Sequence, residues 1–260
     1  MWTVQAITEF LDQFAPQRLA EAWDNVGLLV GDRGGSVRRV MTCLTITPAS
    51  AAEAIEAGAE LIVTHHPLPF HPLKRLTADT PAGRVLLDLI AARIAIYSPH
   101  TAFDSAAQGI NQRLAEGLGL RGIRPLVPDE EGCGSGRWGR LGRRLALGRL
   151  IERVKEFLSI DRLQFVGHLD QPVRTVAVAC GSAGQFLDAA KKLGCDAMLV
   201  GETRFHTCLD AEAAGVALVM PGHFASERFA VECLAGLLAG QFTELEVWAS
   251  RRERDPISWT

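Results

Sequence analysis

The residues of this chain best suited to chemistry come in three pairs: His65 with His66, His100 with Asp104, and His223 with Glu227. Each pair follows a short apolar run that reads as a buried strand, over 60–64, 94–98 and 216–220. In α/β sheets the carboxyl ends of the strands open into the ligand crevice. Imidazole and carboxylate donors suit zinc, manganese or iron, and a set without cysteine argues against a purely structural zinc site. Adjacent histidines at a strand exit point in different directions, so His65 and His66 could serve two metals rather than chelate one. A carboxylate offers two oxygens and can bridge. Paired metals about 3.5–4 Å apart can share a hydroxide and clamp the attacking and leaving oxygens of a hydrolysis.

The two His-xxx-acid spacings have two local readings. If the segment is already helical at the histidine, both side chains share one face. Otherwise the histidine lies in the loop and the acid in the first turn, where a carboxylate caps free backbone N–H groups. Capping explains Asp104 or Glu227 alone, but not a histidine four residues earlier in both places. His206, after the apolar run 197–200, is a candidate proton shuttle, and Glu202 could share that role. His71 and His168 read as surface or strand residues. Trp23-Asp24-Asn25 reads as turn chemistry anchored by a packed tryptophan, with contact to substrate or bound water as the functional alternative. There is no GxSxG nucleophile elbow and no GxxxxGK[ST] phosphate loop.

Elements that could position these pairs alternate along the chain. Strands are expected over 40–46, 60–64, 94–98, 173–180, 197–200, 216–220 and 243–248. Helices are expected over 48–57, 81–93, 105–117, 184–193, 204–214 and 225–238. The opening MWTVQAITEFLDQFAP has helical spacing. This alternation predicts an α/β fold with largely parallel or mixed sheets. The Gly- and charge-dense stretch within 129–144 predicts a surface loop. It reads either as an active-site flap or as the boundary between an N-terminal α/β lobe (1–128) and a C-terminal one (145–260) within one intertwined fold. The halves read as related lobes: 57–66 aligns with 193–202, and 94–104 with 216–227. In that alignment Glu202 is the counterpart of His66.

Composition bounds the function. Apolar residues make up 48% and charged residues 22%, with a net charge of −3, the balance of an ordinary soluble globular protein. Arginine clusters only in short runs at 137–144 and 251–254, so nucleic acid is not the expected partner. No apolar run reaches the roughly 18–20 residues needed to span a bilayer, and the N-terminus lacks signal-peptide character. The six cysteines are scattered without a CxxC pair and read as reduced thiols, for which a cytoplasmic location is expected.

WDNVGLLVG (23–31), IVTHHPLPF (62–70), HTAFD (100–104) and PGHFASER (221–228) together resemble the Nif-three-like dinuclear metal centre proteins, often described as GTP cyclohydrolase I type 2. The resemblance runs from the first helix to about residue 240. It implies two related α/β lobes with a dinuclear metal site between them, in a toroidal homohexamer whose sites face an internal cavity. Carried over by motif, His65, His66, Asp104, His223 and Glu227 match the ligands of two divalent ions, with Glu227 as bridge. His100 matches a histidine close to the metals, a ligand or proton carrier. Ser226 stands where the family often has Thr, and Ala102-Phe103 where Asn-Leu is frequent.

Two functions are therefore weighed. The first is a metal-dependent hydrolase acting through a metal-activated hydroxide on a small molecule such as a nucleotide, with GTP ring opening and formate release as the family's suggestion. The alternative is a non-catalytic, metal-dependent hexameric scaffold or regulator.

Overall fold

The computed structural model describes residues 1–129 and 133–258. In chain order the strands are β1 (Trp2–Thr3), β2 (Gly27–Val30), β3 (Ser36–Val37), β4 (Arg39–Cys43), β5 (Leu61–Thr64), β6 (Ala95–Ser98), β7 (Arg121–Pro128), β8 (Gly134–Ala146), β9 (Gln164–Val166), β10 (Pro172–Ser182), β11 (Ala197–Glu202), β12 (Ala217–Met220) and β13 (Glu246–Ala249). The helices are α1 (Val4–Phe14), α2 (Pro48–Ala57), α3 (Pro81–Ala91), α4 (His100–Ser105), α5 (Ile110–Gly117), α6 (Leu147–Leu158), α7 (Leu187–Lys192), α8 (Phe205–Ala213) and α9 (His223–Gln241).

The first compact unit comprises Met1–Phe103 and Ala230–Pro256. Its five-stranded sheet runs β13-β4-β5-β6-β2, parallel except for the antiparallel edge strand β2. Every residue of β5 is buried, which explains its unbroken apolar run. Each fully buried Leu, Ile or Val there contributes about 1.5–3 kcal/mol. Helix α2 starts where its sequence dictates. Thr47 and Ser50 form a reciprocal capping box, Pro48 opens the first turn, and Gly58 closes the helix at φ 67°.

The second unit comprises Asp104–Phe229 and Ile257–Thr260. Its six-stranded sheet runs β7-β8-β10-β11-β12-β9. Strands β10, β11 and β12 are parallel, and the others pair antiparallel. Both sheets are thus mixed. Each has three adjacent parallel strands at its centre, β4-β5-β6 and β10-β11-β12, and in each the third strand leads into a helix that begins with histidine, α4 or α9. The relation between the halves seen in 94–104 and 216–227 has this topology behind it.

The structure departs from expectation in three places. The stretch expected as a loop over 129–144 is strand from Gly134 onward, while 130–132 lie outside the described residues. Its glycines serve close packing: a Cβ on Gly136 would stand 3.0 Å from Leu126 and 3.1 Å from the Val178 carbonyl oxygen. The single helix expected over 105–117 is two, because Gly109 is an extended N-cap for α5 and the Arg137 guanidinium takes the carbonyls of Ser105 and Ala106. The compact units change over at 103/104 and 229/230, inside α4 and α9, where the sequence reading had a boundary at 129–144.

Candidate metal centre

Two clusters of metal-type donors form, one in each unit. In the first, the backbone amides of His65 and His66 extend the β4–β5 ladder, donating to Cys43 and Leu44 carbonyls at 3.0 and 2.8 Å. Ser98 Oγ donates to the His65 carbonyl at 2.6 Å, and His66 Nδ1 shares a 2.7 Å hydrogen bond with Thr45 Oγ1. His65 is buried, and His66 is half-buried. His100, at the start of α4, brings a third imidazole. One ring nitrogen from each of the three lies within 4.8 Å of the others. The three rings sit 5.0–5.6 Å apart by centroid.

His100 is held with unusual care. Its φ is +26°, a left-handed value that costs a non-glycine residue roughly 1–3 kcal/mol and occurs most often at functional sites. Its Nδ1 is 2.7 Å from Asp24 Oδ1. The Thr101 amide donates to Asp24 Oδ2 at 3.1 Å, the Thr101 hydroxyl donates to the same oxygen, and the Asn25 amide donates to Oδ1 at 2.7 Å. Burial alone would raise the Asp24 carboxyl, but the hydrogen bonds from His100 and Thr101 outweigh it and hold the group at about 2. Asn25 Nδ2 donates to the Pro69 carbonyl at 2.7 Å, tying this turn to the loop after His66.

In the second unit, His223 opens α9 and Glu227 follows one turn later on the same face, as the helical reading of the spacing requires. His223 Nε2 lies 3.1 Å from Glu227 Oε2, and its Nδ1 lies 3.0 Å from Glu202 Oε1. Burial would lower the imidazole, but Glu227 and Glu202 outweigh it and push it up to about 9. Two glycines make room here, Gly181 for the buried Glu227 and Gly201 for Ser226. A Cβ on Gly181 would stand 2.3 Å from Glu227 Oε1, and one on Gly201 would stand 2.5 Å from Ser226 Oγ. Ser226 Oγ accepts the Gly181 amide at 3.0 Å and donates to the His223 carbonyl at 2.8 Å, so the hydroxyl that departs from the family's usual Thr ties the end of β10 to the start of α9.

Asp104 Oδ1 accepts a hydrogen bond from Cys180 Sγ at 3.1 Å. Asn111 clamps both residues, donating from Nδ2 to the Asp104 carbonyl at 3.1 Å and accepting the Cys180 amide at 2.8 Å. Burial first, then the negative charges of Asp104 and Glu227, push the Cys180 thiol well up, so it stays protonated and donates to Asp104.

The donors fit divalent metals. Imidazole nitrogens and carboxylate oxygens are grouped, and at Gly181 a side chain that would fill the carboxylate's space is missing. His206 lies elsewhere. It is exposed on α8 with its ring against Phe205, and among the described residues it makes no hydrogen bond to the His223 group. Glu202 holds His223. His71 and His168 are exposed. Sequence reasoning passed over Cys180 as one scattered thiol and took Asp24 for turn chemistry. The signal available for Cys180 was its place at the carboxyl end of the expected strand 173–180.

The family described as Duf34/NIF3 (NGG1p interacting factor 3) matches residues 2–256. The chain belongs to the Duf34/NIF3 family. Within it, a Clostridium perfringens protein named GTP cyclohydrolase 1 type 2 homolog is 37% identical over 223 residues, 85% of either chain. NIF3-like protein 1 of Drosophila melanogaster is 32% identical over 260 residues, 97% of this chain and 87% of that one. Among solved structures, a hypothetical protein of Staphylococcus aureus superposes with a TM-score of 0.91 at 27% identity, over 99% of both chains. A Bacillus cereus protein related to NIF3 reaches a TM-score of 0.92 at 24% identity, covering 100% of this chain and 99% of that one, which is a likeness of fold. The histidine and carboxylate clusters of this member could hold metal ions, and no helix among the described residues is long and apolar enough to cross a membrane.

Proposed function

We propose that the chain binds two divalent ions, with His65, His66, Asp104, His223 and Glu227 as the ligands that the family resemblance implies and Glu227 as the bridge. The reading is carried by the histidine triad, whose ring nitrogens converge within 4.8 Å.

The proposed activity is hydrolysis of a small molecule, with a nucleotide such as GTP as the first substrate to try. Relatives named GTP cyclohydrolase 1 type 2 homolog support that choice. Bound zinc, iron or manganese would supply Lewis acidity and lower the pKa of water toward about 7. The chain's own part is to orient and to move protons. Glu202 holds the His223 ring through Nδ1, Ser226 and Gly181 set the position of Glu227, and His100 offers the ring nitrogen that Asp24 leaves open as a further metal ligand or a proton carrier. His206, exposed on α8, is retained as a candidate proton carrier for groups released from the site. The homohexamer implied by the family resemblance is part of the proposal and is checked by light scattering of the purified protein.

The test is metal analysis of the pure protein, followed by a hydrolysis screen on GTP and generic phosphoesters. Two ions per chain, with metal and turnover lost together in Glu227→Ala, are expected. Metal-loaded protein inert on every substrate would leave the scaffold role standing, and protein that binds no metal would sink both.

A further inference from the structure

The Asp24 side chain is 0% exposed, and among the described residues its carboxylate takes four donors, from His100, Thr101 and Asn25. An ionised carboxylate offers about four acceptor sites and donates nothing. The proton in its 2.7 Å contact with His100 therefore resides on Nδ1, and in the neutral ring the lone pair resides on Nε2. The ring's neighbours are His65 at 5.1 Å, His66 at 5.6 Å, Phe70 at 5.8 Å and Trp23 at 5.9 Å between centroids. The backbone beneath it is held at φ +26°. All of these residues belong to the first unit.

We propose that Asp24 is a positioning residue: by holding the Nδ1 proton it commits His100 to the tautomer whose Nε2 lone pair serves the metal centre. The proposal rests on the metal-binding reading above and extends it to a carboxylate for which the sequence favours turn chemistry over contact with substrate or bound water. Carboxylate–imidazole–metal relays fix ring orientation and raise ligand basicity, and losing the outer carboxylate typically costs about 10–100-fold in metal affinity. The competing role is purely structural. Asp24 also accepts the Thr101 amide in the first turn of α4, and a cap alone would account for that contact.

Asp24→Asn separates the two roles, since its amide oxygen can still accept from Thr101 while its amide nitrogen can only donate to His100. Two readouts decide. Long-range proton–nitrogen correlation spectra of the metal-free protein, followed to the alkaline limb of a pH titration, report the His100 tautomer. Co²⁺ titration in competition with a chelator reports affinity. The wild type is expected in the Nδ1–H form. Asp24→Asn is expected to shift to the Nε2–H form and to bind Co²⁺ about 10–100-fold more weakly. Thr101→Val, which removes one hydroxyl donor from the same carboxylate, is expected to lower stability while leaving tautomer and affinity unchanged. An Nε2–H wild type overturns the proposal even if Asp24→Asn fails to fold. Asp24→Asn with wild-type tautomer and affinity overturns it too, and leaves the metal centre standing. A wild type that binds no Co²⁺ overturns the metal reading itself, and this proposal with it.

Discussion

Gly181 and Glu227 approach so closely that a methyl group on the glycine would stand 2.3 Å from the carboxylate oxygen. Gly181 also has a φ of +63°. Gly181→Ala should therefore lose about 1 kcal/mol from backbone strain and, beyond that, displace Glu227. Metal affinity should fall roughly tenfold or more. Gly194→Ala is the matched control, with φ +65° and nothing within 4 Å of an added Cβ. It should show the stability loss alone in denaturant melts, with unchanged metal binding. Equal affinities in the two variants would refute the steric account.

Ser226 is fully buried and completes the link between Gly181 and His223. Ser226→Ala leaves the Gly181 amide without its acceptor, at a cost of about 1–3 kcal/mol. Urea melts should show this as a lower midpoint at unchanged slope. Ser226→Thr, which restores the hydroxyl, should recover most of it.

Arg137 is the buried cation of β8. Its guanidinium donates to the carbonyls of Gly134 and Gly136 at 2.7 Å each, of Ser105 at 3.0 Å and of Ala106 at 2.8 Å, and to Gln112 Oε1 at 3.0 Å. It thus closes the C-terminal end of the helix that carries Asp104. Arg137→Met should cost about 1–3 kcal/mol or more, because it leaves buried carbonyl acceptors without their donor. Because Asp104 lies in α4, metal affinity should fall as well. A melt within 1 kcal/mol of wild type would contradict this role.

Glu53 controls an acid-sensitive seam. Its carboxylate accepts from Ser250 Oγ at 2.7 Å, Trp248 Nε1 at 3.2 Å and the backbone amides of Arg251 and Arg252 at 3.0 Å each. Burial alone would raise its pKa, but these donors outweigh it and lower it below 4.5. A carboxyl with a depressed folded pKa contributes stability above its unfolded value, and that contribution is lost as pH falls through the folded one. Unfolding free energy measured against pH should accordingly decline below about 4.5. Glu53→Gln should flatten that decline and cost about 1–3 kcal/mol at neutral pH.

Chelation supplies the last expectation. A metal that binds only the folded chain at 100 times its Kd stabilises it by about 2.7 kcal/mol. At about 2–4 °C per kcal/mol for a chain near this length, EDTA should lower the melting temperature by several degrees. Asp104→Ala and Glu227→Ala should be insensitive to it. An unchanged wild-type melt would argue against a bound ion.

Local chemistry determined much of this protein. Apolar runs, capping residues and glycine stops placed α2 and the parallel strands within a few residues of where they form. The histidine and acid that follow β6 and β12 were legible because strand, turn and helix start all lie within about a dozen neighbouring residues. Tertiary structure decided which distant group each of them meets. Asp24 reaches His100 across 76 positions, Cys180 reaches Asp104 across 76, and Ser226 reaches Gly181 across 45. A carboxylate that caps a turn and one that orients an imidazole look identical in sequence, because the difference lies in the partner that folding delivers. The glycines of 134–142 suggest a loop for the same reason. Gly136 has a φ of +63° and lies close against Leu126 and the Val178 carbonyl, contacts that no local pattern brings into view.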